Sequence, residues 1–202
     1  MKVTPKTLDF PLAMKDPNRS QGMLHASDIY GSYYALSNPK KYGQKKDASS
    51  PDLLFAEGLA WEQYFEKALL ANGVQCFRPG EQIGYWKGKP VAFSPDLIIV
   101  NGADRIGEIK KCWMSSRVKP TDKNFAKYLT QGRMYAYWLE IPRLTYFVNH
   151  TVGNWRDYPF PQMRVWDIEF TKREIMDEMK TMMQHAEDED LFAKANAGTL
   201  GR

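Results

Sequence analysis

The sequence predicts one mixed α/β domain in which a central, mostly antiparallel sheet is flanked by helices. Three observations support this fold class. A long segment with helical apolar spacing begins at Pro51, strand-like segments separated by glycine and proline turns follow it, and a second helical segment comes next. The 202 residues, 43% of them hydrophobic, suffice for a single domain with a sizeable core.

The N-terminal part of the chain is predicted to be an arm followed by a short helix. Residues 1–24 contain three prolines and no periodicity, so we expect an extended arm. Ser27 is a favourable N-cap for a helix from Asp28 to about Leu36, which Pro39 would end. The domain itself is expected to occupy residues 25–190.

The remaining elements follow in order along the chain. A helix is predicted from Pro51 to about Asn72, and a meander of antiparallel strands over VQCFRP, EQIGYW, PVAFSPDLIIV and DRIGEIKKCW. A second long helix is expected over residues 122–139, then two strands. Thr171 and Glu174 form a capping box for a last helix, and residues 191–202 are predicted to be a flexible tail.

Composition excludes several classes of protein. No run of roughly 18 apolar residues is present, so we expect no membrane association and a cytoplasmic protein. Cys76 and Cys112 are too few for a disulfide framework, and they are either reduced core thiols or a single bridge. The net charge of +4 is a weak indication of a polyanionic partner.

The stretch FSPDLIIVNGADRIGEIKKCW, residues 93–113, places charges where a strand should bury apolar side chains. Side chains alternate along a strand, so Glu108 and Lys110 share a face. Asp96 lies on the same face if it is opposite Glu108 in the hairpin. In that register the numbers of two opposite residues add up to 204, and residues 101–103 form the tip of the loop. A shift of one residue would send Asp96 to the opposite face.

Two carboxylates on one surface need compensation. At about 4 Å and an effective dielectric near 20 they repel by about 4 kcal/mol. Mg²⁺ or Mn²⁺ would relieve this repulsion, and two acids with a backbone carbonyl give enough protein ligation for such an ion. The alternatives are that Asp96 caps a turn and that Glu108 and Lys110 form a surface ion pair.

These residues carry a resemblance to a known family. Pro95-Asp96, a hairpin and Glu108-Ile109-Lys110 resemble the motif of the PD-(D/E)xK nuclease superfamily. Gln131-Gly-Arg-Met-Tyr135 resembles the QxxxY signature of its RecB-like, lambda-exonuclease-like branch. Gly58-Leu-Ala-Trp-Glu62 lies on the helix where that branch has a further ligand. The resemblance implies a restriction-endonuclease-like αβββαβ core.

Each of the additional matches has a simpler alternative. Gln131 and Tyr135 at positions i and i+4 would also suit ordinary helix packing. Glu62 would also suit a solvated helix position, and Glu57 and Glu66 are alternatives to it on the same helix.

The resemblance implies a metal-dependent DNA exonuclease that serves phage-type recombination or repair. Its expected ligands for one or two Mg²⁺ or Mn²⁺ ions are Asp96, Glu108, the Ile109 carbonyl and Glu62. Lys110 would orient the attacking water, while Gln131 and Tyr135 would support the site. A structure-selective endonuclease and a noncatalytic DNA-binding module on a nuclease fold are the alternatives.

Basic side chains around this site are expected to follow a phosphate backbone without reading bases. The candidates are Lys40, Lys41, Lys45, Lys46, Lys111, Arg117, Lys119, Lys123, Lys127 and Arg133. The expected partner is DNA, as linear duplex or DNA ends, with a recombinase or single-strand-binding protein as further possible partners. A homo-oligomer is also possible, with the methionine stripe of the last helix as its interface.

Overall fold

Six helices and seven strands are present in the residues that the computed structural model describes, which are 20–42, 51–112, 119–123, 125–150 and 162–200. The helices are α1 (Ala26–Ser37), α2 (Pro39–Tyr42), α3 (Pro51–Ala71), α4 (Ala126–Leu139), α5 (Lys172–Asp188) and α6 (Leu191–Asn196). The strands are β1 (Cys76–Phe77), β2 (Gln82–Trp86), β3 (Lys89–Phe93), β4 (Leu97–Ile99), β5 (Arg105–Cys112), β6 (Arg143–His150) and β7 (Gln162–Glu169).

The central sheet has five strands in the order β1-β4-β5-β6-β7. Only β5 and β6 run parallel, and the other neighbouring pairs are antiparallel. The predicted mixed α/β fold with a mostly antiparallel sheet is therefore confirmed.

The predicted simple meander differs from the observed connectivity. Strands β2 and β3 form a separate two-stranded hairpin, and β1 pairs with β4. The segment expected as one strand, residues 90–100, is interrupted between β3 and β4 at Ser94-Pro95. Proline has no N–H for a sheet ladder, so the chain leaves one sheet there and enters the other.

The β4–β5 hairpin has the predicted register. Leu97 pairs with Gly107, Ile98 with Ile106 and Ile99 with Arg105. Every pair sums to 204, so the residues that flank this ladder, Asp96 and Glu108, belong to the same face of the hairpin. Gly102 has a φ of +83° at the turn, a conformation that glycine adopts without a Cβ penalty.

The sheet has an apolar cluster on each face. On one face α1, α4 and α5 cover β5 and β6, and the buried residues there include Ile106, Met134, Tyr146 and Met179. On the other face α3 packs against Ile99, Ile109 and Phe147, with the rings of Phe65 and Phe147 4.9 Å apart. The charged end of β5 thus lies between two packed layers.

Two predicted helix starts shift along the chain. Helix α1 begins at Ala26, and its N-cap is His25 instead of Ser27, because the Asp28 carboxylate accepts a hydrogen bond from the His25 N–H at 3.2 Å. Helix α4 begins at Ala126, because the Phe125 N–H bonds to the Asp122 carbonyl at 2.8 Å in a preceding turn. By contrast, α3 ends at Ala71, close to the predicted point.

The chain ends also differ from expectation. The segment predicted as a flexible tail contains α6, because Leu191 and Ala195 are buried in the core. Residues 1–19 of the predicted arm lie outside the described residues, but Leu24 is buried and its carbonyl accepts a hydrogen bond from the Ala92 N–H at 2.9 Å. The extended arm therefore joins the domain before residue 25.

The methionine stripe of α5 belongs to the core. Met179, Met182 and Met183 have no exposed surface, so they are not available to an oligomer interface. Cys76 is a buried free thiol, which excludes the bridge left open by the sequence. Among the described residues, no helix combines the length and apolarity required to cross a membrane.

Candidate active site

The β4–β5 hairpin brings together the two acids and the lysine of the predicted motif. The Lys110 Nζ lies 2.7 Å from Glu108 Oε2 and 3.6 Å from Asp96 Oδ2. Asp96 Oδ2 also accepts a hydrogen bond from the Ile109 N–H at 2.7 Å, which fixes the carboxylate against β5. One ammonium group therefore forms ion pairs with two carboxylates. The register of the β4–β5 hairpin brings these three side chains together.

Helix α4 adds Gln131 and Tyr135 to this cluster. Gln131 Nε2 donates to Glu108 Oε2 at 3.1 Å and to the Tyr135 hydroxyl at 3.0 Å. The Tyr135 hydroxyl donates in turn to the Ser94 carbonyl at 3.3 Å. Both side chains are buried, and their polar atoms form a chain from Ser94 to the carboxylate of Glu108. The i, i+4 pair thus contacts the site and does more than fill the core.

Glu62 approaches the cluster from α3 but has a partner of its own. Its Oε2 lies 3.4 Å from Nη1 of Arg78, whose Nε lies 2.6 Å from Oε2 of Glu66. Burial and then the charge of Asp96 raise the pKa of Glu62 to about 7. Glu62 therefore lies within the electrostatic reach of Asp96, whereas the side chain of Glu57 lies outside the described residues.

The environment of Glu108 opposes its ionisation. Burial and then the charge of Asp96 raise the pKa of Glu108 to about 8, although Lys110 acts in the opposite direction. Burial lowers the pKa of Lys110, but the negative charges of Asp96 and Glu108 outweigh it and hold that pKa well above its usual value. The lysine is consequently a permanent cation in this site.

The site contains an unsatisfied ligand atom. Oε1 of Glu108 is buried and has no hydrogen-bond partner among the described residues. Such an atom costs about 1–3 kcal/mol, and a hard cation with oxygen ligands would remove this penalty. The carboxylates of Asp96 and Glu108 fit such an ion.

Further side-chain ligands are few. Within the described ranges, no group of three or more His, Cys, Asp and Glu side chains is arranged to hold a metal ion. An ion here would take two carboxylates and complete its shell with backbone oxygen and water, as Mg²⁺ does in many proteins.

The predicted DNA-binding side chains have different environments. Lys40, Lys119 and Lys123 are exposed, and Lys111 is partly buried at the end of β5. The Lys127 Nζ lies 5.4 Å from the centroid of the Tyr30 ring. Lys45, Lys46, Arg117 and the side chain of Lys41 lie outside the described residues.

Arg133, another of the predicted DNA-binding residues, has an acidic partner on α5. Its Nη1 lies 2.9 Å from Glu178 Oε2, and its guanidinium lies 5.1 Å from the centroid of the Phe170 ring. Glu178 also accepts a hydrogen bond from Thr130 at 2.8 Å. Arg133 therefore ties α4 to α5, because a carboxylate 45 residues away in sequence meets it in the fold.

Two residues at the site were not singled out as site residues by the sequence. Arg78 follows a two-residue strand and precedes a proline, and nothing in its local sequence indicates its two glutamate partners. Tyr30 is buried in α1, where burial raises its pKa and the charges of Lys110 and Glu108 act on it in opposite directions. Its hydroxyl therefore lies within the electrostatic influence of the charged cluster.

Comparison with known proteins establishes the fold. No protein-family model matches the sequence, and no curated protein matches it. An alkaline exonuclease from Laribacter hongkongensis matches with 16% identity over 89% of this chain and 95% of that chain, at a TM-score of 0.50. The same exonuclease in complex with dAMP matches with 17% identity, the same coverage and a TM-score of 0.52. The chain is thus a mixed α/β protein with an exonuclease-like fold.

Proposed function

We propose that this protein is a Mg²⁺- or Mn²⁺-dependent nuclease that hydrolyses phosphodiester bonds in DNA. The observation that carries the proposal is the position of the Lys110 ammonium, 2.7 Å from Glu108 and 3.6 Å from Asp96, on a hairpin with the spacing of a PD-(D/E)xK motif. The likeness of the fold to an alkaline exonuclease supports it, and so does the hydrogen bond from Gln131 to Glu108.

The chain's own groups have distinct parts in this reaction. The cation would be held by the Asp96 and Glu108 carboxylates and the Ile109 carbonyl, and Glu62 would become a third carboxylate ligand by turning from Arg78 toward them. When bound, the cation polarises the phosphoryl oxygen and lowers the pKa of the attacking water. Lys110 keeps its proton, so it can donate hydrogen bonds that orient this water and offset charge on the phosphate.

The α4 residues act on the carboxylate. Gln131 donates to Oε2 of Glu108, and the other oxygen, Oε1, is buried without a hydrogen-bond partner among the described residues, so it can serve as a ligand. Tyr135 receives the second Gln131 N–H and is itself anchored on the Ser94 carbonyl. Because both donors of the amide are used, the orientation of Glu108 is fixed before substrate binds.

The proposed substrate is DNA attacked from an end, in recombination or repair. A neighbour in fold is an exonuclease, and the exposed Lys40 and Lys119 and the partly buried Lys111 would contact phosphates without reading bases. A DNA complex held by such contacts weakens steeply as salt rises. A recombinase or single-strand-binding partner belongs to the same proposal.

The test is digestion of end-labelled linear and covalently closed circular duplex DNA by the purified protein with Mg²⁺ or Mn²⁺. We expect linear DNA to be lost and circles to survive, EDTA to stop the reaction, and Lys110→Ala and Glu108→Ala to abolish it. Arg143→Ala is the matched control, because it removes an ion pair with the exposed Glu169 on the surface of the described part of the chain. Cut circles would establish an endonuclease, and a Lys110→Ala variant that cuts at the parent rate would refute the assignment.

A further inference from the structure

Arg78 connects the candidate site to a second pair of acids on α3. Glu62 and Glu66 are four residues apart on the helix, so their like charges repel along one edge of it. The guanidinium of Arg78 lies against both, with Nε 2.6 Å from Glu66 and Nη1 3.4 Å from Glu62. All three side chains are between 22% and 29% exposed, so this is a partly buried network and not a solvated pair.

The two contacts of Arg78 are unequal. The short contact with Glu66 is that of a strong charge-assisted hydrogen bond, whereas the contact with Glu62 is long. Pro79 follows Arg78 and restricts its backbone to extended conformations, which limits the directions available to the side chain. Arg78 is therefore anchored at Glu66 through Nε, and its Nη1 is directed to Glu62.

The third guanidinium nitrogen leaves the network adjustable. Nη2 of Arg78 is buried and has no acceptor among the residues that the structure describes. A rotation of the Glu62 carboxylate toward Nη2 would consequently break no other hydrogen bond of Arg78. The Glu62 carboxylate can therefore turn while it keeps a donor on Arg78 and while Arg78 stays anchored at Glu66.

We propose that Arg78 is a positioning residue of the active site, which directs Glu62 toward the Asp96 and Glu108 carboxylates and thereby strengthens cation binding. The inference rests on the proposed function, because it assigns Arg78 a part in holding the same cation. Removal of such an outer partner weakens cation affinity by about 10- to 100-fold in known sites. A lysine at this position keeps the charge but cannot contact both glutamates with a planar fork.

The experiment is a calorimetric titration of the full chain with Mn²⁺, without DNA, for the parent and four variants. These are Arg78→Met, Arg78→Lys, Glu62→Gln and the double variant Arg78→Met with Glu62→Gln. Arg143→Met is the matched control, since the ion pair that Arg143 makes among the described residues is with the exposed Glu169. Urea unfolding of each variant shows whether it is folded, and kcat and KM on linear DNA are measured in parallel.

We expect Arg78→Met to bind Mn²⁺ about 10- to 100-fold more weakly, with kcat reduced and KM for DNA little changed. Arg78→Lys should restore part of the affinity, and it also tests the idea if Arg78→Met does not fold. The double variant should bind no more weakly than Glu62→Gln, because Arg78 acts through Glu62. Arg143→Met should match the parent.

Two results would overturn the inference while the proposed function stands. They are unchanged or tighter Mn²⁺ binding by both Arg78 variants, and a double variant whose losses add. A parent chain that binds no Mn²⁺ and cuts no DNA would instead overturn the proposed function, and this inference with it.

Discussion

Cation binding at the candidate site should depend steeply on pH. Burial and the charge of Asp96 raise the pKa of Glu108 to about 8, so this carboxyl group is mostly protonated at neutral pH. A cation binds only the ionised carboxylate, so binding must displace the proton. The affinity for the cation should therefore increase as the pH rises toward the pKa of Glu108, because less proton has to be displaced.

The magnitude can be worked out from the two shifted carboxyl groups. With a pKa of about 8, Glu108 alone predicts an affinity about 50-fold higher at about pH 8 than at about pH 6. At about pH 7 it would release about 0.9 proton on binding. Glu62, with a pKa of about 7, would add about half a proton if it also becomes a ligand.

The assay is calorimetric titration with Mn²⁺ at several pH values, in buffers of different ionisation enthalpy. The buffer dependence of the measured heat counts the protons released, so it separates Glu108 alone from Glu108 together with Glu62. Glu108→Gln should bind weakly and lose most of the pH dependence. Tight binding by the parent with flat affinity from about pH 6 to 8 and no proton release would refute the reasoning.

Three further predictions concern packing and the hydrogen-bond chain. Gly132→Ala should lower the free energy of unfolding in urea by about 1–3 kcal/mol, because a Cβ there overlaps a buried side chain of β6, whereas Gly31→Ala, with open space around it, should not destabilise. Tyr135→Phe should lower the free energy of unfolding in urea by about 1–3 kcal/mol, because the hydroxyl that receives the Gln131 N–H is lost. The same variant should cleave linear DNA more slowly than the parent. Met179→Ala should lower the free energy of unfolding in urea by about 2–5 kcal/mol, because Met179 is fully buried. Size-exclusion chromatography should show the same oligomeric state as the parent. A changed oligomeric state would contradict the core position of Met179.

Local features of the site were predictable because short-range geometry sets them. The β4–β5 register follows from strand alternation and a short turn, and it places Asp96 and Glu108 on one face. The i, i+4 spacing of Gln131 and Tyr135 likewise puts both on one side of α4. The capping box of Thr171 and Glu174 also formed as predicted.

Features that depend on distant parts of the chain were not predictable. The pairing of β1 with β4 skips the intervening hairpin, and Arg133 meets Glu178 from another helix. The same holds for Arg78, whose partners lie on α3. Sequence spacing carries no information about such contacts, because they depend on how whole elements pack.

The sequence by itself determined the groups that the β4–β5 hairpin and α4 bring to the candidate site, and their order along the chain. Only the tertiary structure decided the pKa values of these groups and which other side chains they contact. Burial of Glu108 between packed layers raises its pKa, and Arg78 donates a long hydrogen bond to Glu62. The physical reason is that desolvation depends on everything packed around a group, whereas spacing depends only on its neighbours in the chain.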